Sequence, residues 1–148
     1  MNVQAGTLAG KGIISGAVTI GTGSGSGAFL APSIASNQPA ILTCQNTLTF
    51  KADSTYSYKL NTRNGRADQV VAKGVTIESG AQFDFNAVAN KRLPTGTVFT
   101  AINNTSANPI SGTFTNLPEG TILQAGRNKL QASYTGGDGN DLTLTVVQ

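Results

Sequence analysis

The chain contains no histidine, and that absence removes a good deal of chemistry. No imidazole is available to act as a general base near neutral pH, to activate a serine or cysteine nucleophile, or to ligate a metal through nitrogen. Cysteine is almost as scarce. With Cys44 as the one thiol, an intrachain disulfide is excluded. Its setting, Ile41-Leu42-Thr43-Cys44, is apolar, which suits a buried small side chain and not a reactive thiolate. Charge is scarce too: Asp, Glu, Lys and Arg make up 11 % of the residues, against roughly 25 % in ordinary soluble domains. The net charge of +3 is carried by scattered groups, Arg63 with Arg66, Lys91 with Arg92, Arg127 with Lys129. Nucleic-acid binding needs clustered cations, so no nucleic-acid partner is expected. Long apolar runs are also missing. Met1-Asn2-Val3-Gln4 has neither a basic n-region nor an apolar stretch, so no signal peptide is legible and no membrane insertion by this segment is expected. If the protein is exported, the chain is expected to be a fragment or mature form of a larger repeat protein.

What is present is glycine, 18 residues of it, with abundant Thr, Ser and Asn. These are mediocre to poor helix formers. A polar surface made of hydroxyls and amides in place of charges points to an extracellular all-β protein. The 148 residues suffice for one domain with a real core, so residues 1–148 are read as a single domain.

Helical periodicity is hard to find, while alternation is widespread. Val18-Thr19-Ile20, Leu48-Thr49-Phe50, Tyr56-Ser57-Tyr58-Lys59-Leu60, Val75-Thr76-Ile77, Phe83-Asp84-Phe85, Ile110 to Phe114 and Leu142-Thr143-Leu144-Thr145-Val146 all read in-out-in. Such runs, broken by Gly, Asn, Asp and Pro, predict about ten to twelve short strands. An internal repeat adds to this. Leu48 to Tyr58 superimposes on Val75 to Phe85 at an offset of 27 residues. Phe50 falls on Ile77, Tyr56 on Phe83, Tyr58 on Phe85, and the turn Ala52-Asp53-Ser54 on Ser79-Gly80-Ala81. A weaker copy, Val18-Thr19-Ile20 followed by Ala28-Phe29-Leu30, precedes Phe50 at an offset of 30 residues.

A repeat of this length, made of strands and turns, is suited to a coil whose inward side chains are buried by stacking on the next coil. The expected fold is therefore all-β: a right-handed parallel β-helix, or β-solenoid, of about five coils with a C-terminal capping strand. An antiparallel β-sandwich is the alternative. Three stretches interrupt the pattern: the Gly/Ser segment Gly21 to Gly27, expected to be flexible or poorly ordered, and the polar loops Asn61 to Arg66 and Asn103 to Pro109. All three are read as surface connectors or as places where binding could be added.

Several segments resemble a known family. Gly16-Ala17-Val18-Thr19-Ile20 with Ala31-Pro32-Ser33, and Ala67-Asp68-Gln69-Val70-Val71 with Gly74-Val75-Thr76-Ile77, are similar to the strand repeats of autotransporter passenger domains. The tail is the most specific part: Ser111-Gly112-Thr113-Phe114-Thr115-Asn116-Leu117-Pro118-Glu119-Gly120, then Tyr134-Thr135-Gly136-Gly137-Asp138-Gly139-Asn140-Asp141-Leu142-Thr143-Leu144-Thr145-Val146. It resembles the C-terminal end of large bacterial proteins with autotransporter-associated β-strand repeats. The resemblance implies a right-handed β-helix at the cell surface of a Gram-negative bacterium, outer-membrane-associated or secreted, often in an adhesin. It also implies the C-terminal stacking segment of a passenger domain. The family pattern places an outer-membrane barrel after such a segment; residues 1–148 are expected not to include one, which leaves the anchor open.

Sites with chemistry are few. Gly136 to Leu144 also fits the nonapeptide of calcium-binding β-rolls. Calcium takes six to eight oxygens, and a single copy supplies about half a set, so a tight Asx-type connection before the last strand is the alternative. The acids Asp53, Asp68, Glu78, Asp84, Glu119, Asp138 and Asp141 are dispersed. Asp84, pointing outward beside a cation such as Lys59, is the one candidate for cleaving a polysaccharide; the ordinary alternative is a surface acid. Gly23-Ser24-Gly25 and Gly25-Ser26-Gly27 superficially resemble a nucleophile elbow, but that motif needs a strand-turn-helix setting and a histidine. The aromatic residues Phe50, Tyr56, Tyr58, Phe83, Phe85, Phe99 and Phe114 alternate with Ser, Asp and Thr, which turns them inward and away from a stacking role. No catalytic, cofactor-binding or metal-binding residue is assigned, and no cofactor is expected. The expected function is a non-enzymatic structural or adhesive scaffold of a secreted or cell-surface protein. Its partner would be a surface ligand such as a host or matrix glycan or protein, with self-association through solenoid ends as a further expectation. The alternatives are a carbohydrate-binding or polysaccharide-degrading β-helix and a self-assembling extracellular filament subunit.

Overall fold

The computed structural model describes residues 1–25, 27–33 and 38–148. Among the described residues there are sixteen strands and no helix. In chain order these are β1 (Asn2–Val3), β2 (Gly6–Ala9), β3 (Gly12–Ile14), β4 (Val18–Ile20), β5 (Ala28–Ala31), β6 (Ile41–Cys44), β7 (Leu48–Phe50), β8 (Ser54–Asn61), β9 (Arg66–Ala67), β10 (Gln69–Ala72), β11 (Val75–Ile77), β12 (Gln82–Val88), β13 (Val98–Asn104), β14 (Ile122–Ala125), β15 (Asn128–Gly136) and β16 (Asp141–Val146). The first sheet has the order β1-β4-β7-β11, the second β12-β8-β5-β2, and the third β14-β15-β16-β13-β10-β6-β3. Short β9 pairs antiparallel with the end of β8.

Up to β13 the pairing between β1–β8 and β10–β13 is parallel, and it follows the repeat. Leu48 lies beside Val75 and Phe50 beside Ile77. Tyr56 lies beside Phe83 and Tyr58 beside Phe85. The weaker copy is in register as well, with Val18 beside Leu48 and Ile20 beside Phe50. Period-two alternation decides which side chains go inward: in β8, Ser54, Tyr56, Tyr58 and Leu60 are buried, while Thr55, Ser57 and Lys59 between them are half-buried.

The expectation of a single right-handed parallel β-helix of about five coils with a capping strand is overturned. The strands fall into three separate sheets, and the third mixes parallel and antiparallel neighbours. After β13 the repeat ends and the chain turns back on itself. Tight turns drive this: Gly126 and Gly137 sit at positive φ in the connections β14–β15 and β15–β16, and short glycine turns join antiparallel neighbours, whereas parallel strands need long crossovers. The last strand, β16, is not a cap at the edge. It lies between β13 and β15. The sandwich alternative fails too, because the first and second sheets are parallel along their main ladders.

The core is an aromatic cluster. Phe50 meets Phe114 edge-on at 5.1 Å between ring centroids and stacks on Tyr56 at 5.8 Å. Tyr56 meets Phe83 at 5.6 Å, and Phe83 meets Tyr58 at 5.4 Å. Offset and edge-on pairs of this kind add about 0.5–1.5 kcal/mol each beyond area burial. Phe50, Tyr56, Tyr58, Phe83 and Phe114 are buried as their alternation requires, and Phe99 with them, while Phe85 is half-buried.

Beyond β12, residues 110 to 117 close the first two sheets. Ile77 N–H donates to Ser111 O at 2.7 Å and Ser111 N–H to Val75 O at 3.0 Å. Asn116 acts as a false strand residue: its Oδ1 accepts from Phe83 N and its Nδ2 donates to Phe83 O, both at 2.8 Å. Gly112 makes this approach feasible, because its φ is +86 and a Cβ there would collide with the carbonyl oxygen of Ile77.

Candidate functional site

The second sheet carries a groove on its outer face. Its strands alternate, so that Leu30, Tyr56 and Phe83 point to the core while Phe29, Ser57 and Asp84 point out. The concavity has a volume of about 600 Å³ and is lined by Thr7, Phe29, Ala31, Ser33, Ser57, Tyr58, Lys59, Asp68, Asp84, Asn86, Ala87 and Val88. Register explains the grouping. Ser57 sits beside Asp84 and Lys59 beside Asn86, while Thr7 sits beside Phe29 one strand pair away.

Asp84 and Lys59 were linked by the sequence pattern, and the fold places both in this groove. Asn86 Nδ2 donates to Asp84 Oδ2 at 3.3 Å, and Lys59 Nζ donates to the carbonyl of Ser33 at 2.9 Å. Sequence reasoning treated the acids as dispersed, but Asp68 lines the same groove as Asp84. Asp68 is buried, and its oxygens are engaged: Oδ1 accepts from Ala40 N and Oδ2 from Lys59 N, each at 3.0 Å. It staples the segment before β10 to β8 and to the segment before β6, a structural task. Phe29 was also missed as a groove residue. Its outward position could have been found from its place between inward Ala28 and Leu30; it is 39 % exposed. Beneath the groove, Tyr58 is fully buried and its hydroxyl has no partner among the described residues. Burial first, and the Asp68 charge second, push this phenol far above its ordinary range. Ser33 Oγ is likewise buried without a partner among the described residues.

The remaining candidates are dispersed around the molecule. Cys44 is buried, and burial pushes its thiol up, away from the thiolate. Ser24 lies in the Gly/Ser segment, whose described residues Thr22, Gly23 and Gly25 are hydrogen-bonded to one side chain. The Asp53 carboxylate accepts from Gly23 N at 2.7 Å, from Thr22 N at 2.9 Å and from Gly25 N at 3.0 Å. These bonds, that of Gly23 foremost, lower the Asp53 pKa. Ser26, the second serine of that run, lies outside the described residues.

The Gly136 to Asp141 turn is fastened to the neighbouring loop. Asp141 Oδ1 accepts from Asn104 N at 2.9 Å, and Asn140 Nδ2 donates to Ser106 O at 2.6 Å. Burial, with the adjacent Asp138 charge, raises the pKa of Asp141. Among the described residues no three of His, Cys, Asp and Glu gather in a metal-ligating group. The Asn103 to Pro109 loop is thus partly an internal clasp, with Asn104 buried. Between Asn61 and Arg66 the chain forms the hairpin from β8 to β9. The cationic groups Arg63, Arg66, Lys91, Arg92, Arg127 and Lys129 are all exposed. No described helix is long and apolar enough to cross a membrane.

No family model matches the chain. No curated protein matches it in sequence.

Proposed function

We propose that the chain is a non-enzymatic structural and adhesive scaffold of a secreted or cell-surface bacterial protein. The observation that carries this reading is the way successive strand triplets are locked together. Parallel ladders link β7 to β11 from Leu48 to Phe50 and β8 to β12 from Thr55 to Asn61, and the buried rings of Tyr56 and Tyr58 pack on Phe83 across the same boundary. A body joined in this manner resists bending between layers and presents its outer faces at fixed spacing. The polar exterior, poor in charge and rich in Thr, Ser, Asn and Gly, suits exposure outside the cell. Outer-membrane association in a Gram-negative organism follows from the resemblance to autotransporter-associated repeats and is part of the proposal.

Catalysis is disfavoured by the groove chemistry. Carboxylate-only glycoside cleavage needs an acid and a second carboxylate acting on opposite sides of the bond. In this groove Asp84 is solvent-facing, whereas Asp68 is buried with both oxygens bound to backbone N–H groups. Two measurements test the proposal. Antibody against the chain is expected to label intact cells of the source organism; label appearing only after lysis overturns the surface assignment. A turnover screen on acidic and neutral polysaccharides is expected to show no cleavage. Cleavage that disappears in Asp84→Asn overturns the non-enzymatic assignment.

A further inference from the structure

We propose that the groove on the second sheet binds a linear neutral polysaccharide, lying across the strands with one ring on Phe29. The inference goes beyond the scaffold reading and does not depend on it.

The lining has the complement that a chain of sugars needs. A pyranose offers an apolar C–H face and a rim of hydroxyls that both donate and accept. Phe29 supplies an exposed flat surface. Around it stand hydroxyls (Thr7, Ser57), an amide (Asn86), a carboxylate (Asp84) and an ammonium (Lys59). These comprise donors, acceptors and groups that are both. At the surface Asp84 is offset by Lys59, and the buried Asp68 adds a second carboxylate to the lining, so an acidic polymer gains nothing by electrostatics. The volume, about 600 Å³, falls within the range of roughly 300–1,000 Å³ for specific ligand sites.

The geometry also selects the class of polymer. The groove lies on the face of the sheet, whose inner strands β5 and β8 are paired on both sides and whose outer strands β2 and β12 are paired on one side each. A peptide that adds a strand needs a free edge, and the groove floor offers side chains only. Neighbouring strands lie about 4.8 Å apart, close to the length of one pyranose unit in an extended chain. Thr7, Phe29, Ser57 and Asp84 come from four successive strands of the sheet. Phe29 is in register with Thr55, so Ser57 and Asp84 lie two residues further along their strands, and the four side chains form a diagonal of about 16 Å, room for about three rings.

The test is affinity electrophoresis of the intact chain in gels containing hydroxyethylcellulose, laminarin, xylan or polygalacturonate, followed by titration calorimetry with the matching hexasaccharide. At least one neutral polymer is expected to retard the chain, and polygalacturonate is not. Phe29→Ala is expected to weaken that binding about tenfold or more, and Asp84→Asn to weaken it less. Both side chains face solvent, so unfolding midpoints are expected to stay within a degree or two of the parent, which separates loss of binding from loss of fold. No retardation by any neutral polymer, a preference for polygalacturonate, or binding unchanged in Phe29→Ala each overturns the proposal. Retardation accompanied by cleavage would leave this site standing while removing the non-enzymatic reading.

Discussion

The two ends of the strand array are finished in opposite ways. At the end formed by β1, β2 and β3, each of the three sheets terminates in a strand paired on one side only among the described residues. The inward residues there, Val3, Leu8 and Ile14, reach the core but are only half-buried, and Ile13 is 69 % exposed. At the far end the ladders are covered. Ser111 and Asn116 engage β11 and β12 in place of further strands, and β16 covers β13. Phe114 and Leu117 plug the centre. Tyr134 pins that plug: its hydroxyl accepts from Phe114 N at 3.1 Å and donates to Leu117 O at 2.7 Å. Burial pushes this phenol up to about 12, so it stays a donor at any physiological pH. The comparison teaches that a repeat supplies its own neighbours in the middle, but an end must be closed by residues that do not repeat.

That contrast has measurable consequences. The largest is expected at the plug. Phe114→Ala should remove about 3–5 kcal/mol of stability by denaturant unfolding, as for other fully buried aromatic truncations; a loss below about 1 kcal/mol would mean the covered end is not where stability resides. Next comes Tyr134→Phe. It keeps the ring but strands two buried backbone groups, a cost of about 1–3 kcal/mol. Leu8→Ala at the open end should cost less than the roughly 2–5 kcal/mol of a fully buried leucine, because part of that side chain already meets water. If Leu8→Ala matched Phe114→Ala, the open end would have to be covered by another copy or another segment in solution.

The smallest effects concern two acids of opposite sign. The folded pKa of Asp53 is lowered, so its stabilising contribution is present above the ordinary carboxyl value and is lost as pH falls through the lowered one. Asp53→Asn is expected to speed amide exchange of Thr22, Gly23 and Gly25 at neutral pH and to leave little pH dependence below that window. The folded pKa of Asp141 is raised, chiefly by burial. Its protonation therefore favours the fold, an effect complete below the ordinary carboxyl value and lost as pH rises through the raised one. Asp141→Asn removes the penalised charge and keeps an acceptor for Asn104 N, so it should be nearly neutral at pH 7, whereas Asp141→Ala should destabilise.

Much of the middle of the molecule was legible in the residues. Phe50 against Ile77 and Tyr58 against Phe85 are neighbours because identical in-out patterns recur at one spacing, and a ladder of like side chains buries most surface when in register. The single right-handed coil was an overextension of that signal past the point where it stops. From Ile122 onward the hydrophobic alternation continues, but alternation is the same for parallel and antiparallel strands; only the short turns carry the direction. The groove was half legible. Asp84 and Lys59 could be placed outward by alternation, and Ser57 could be matched to Asp84 by the repeat. Asp68 arrives from a segment whose relation to β8 has no local signature, and Phe29 from the weaker copy of the repeat, whose longer Gly/Ser connection hides the register.

By itself the sequence determined an all-β chain, the inward course of Phe50, Tyr56, Tyr58, Phe83 and Phe114, and the chemical poverty of a protein without histidine and with one thiol. These follow from short-range facts, residue type and period two. The tertiary structure decided the division into three sheets, the reversal to antiparallel pairing after β13, and the capture of the Gly/Ser segment by Asp53. It also brought Phe29, Asp68 and Asp84 around one groove. Each of these depends on which distant segment supplies a hydrogen-bond partner, and backbone groups leave no trace of that choice in the side chains.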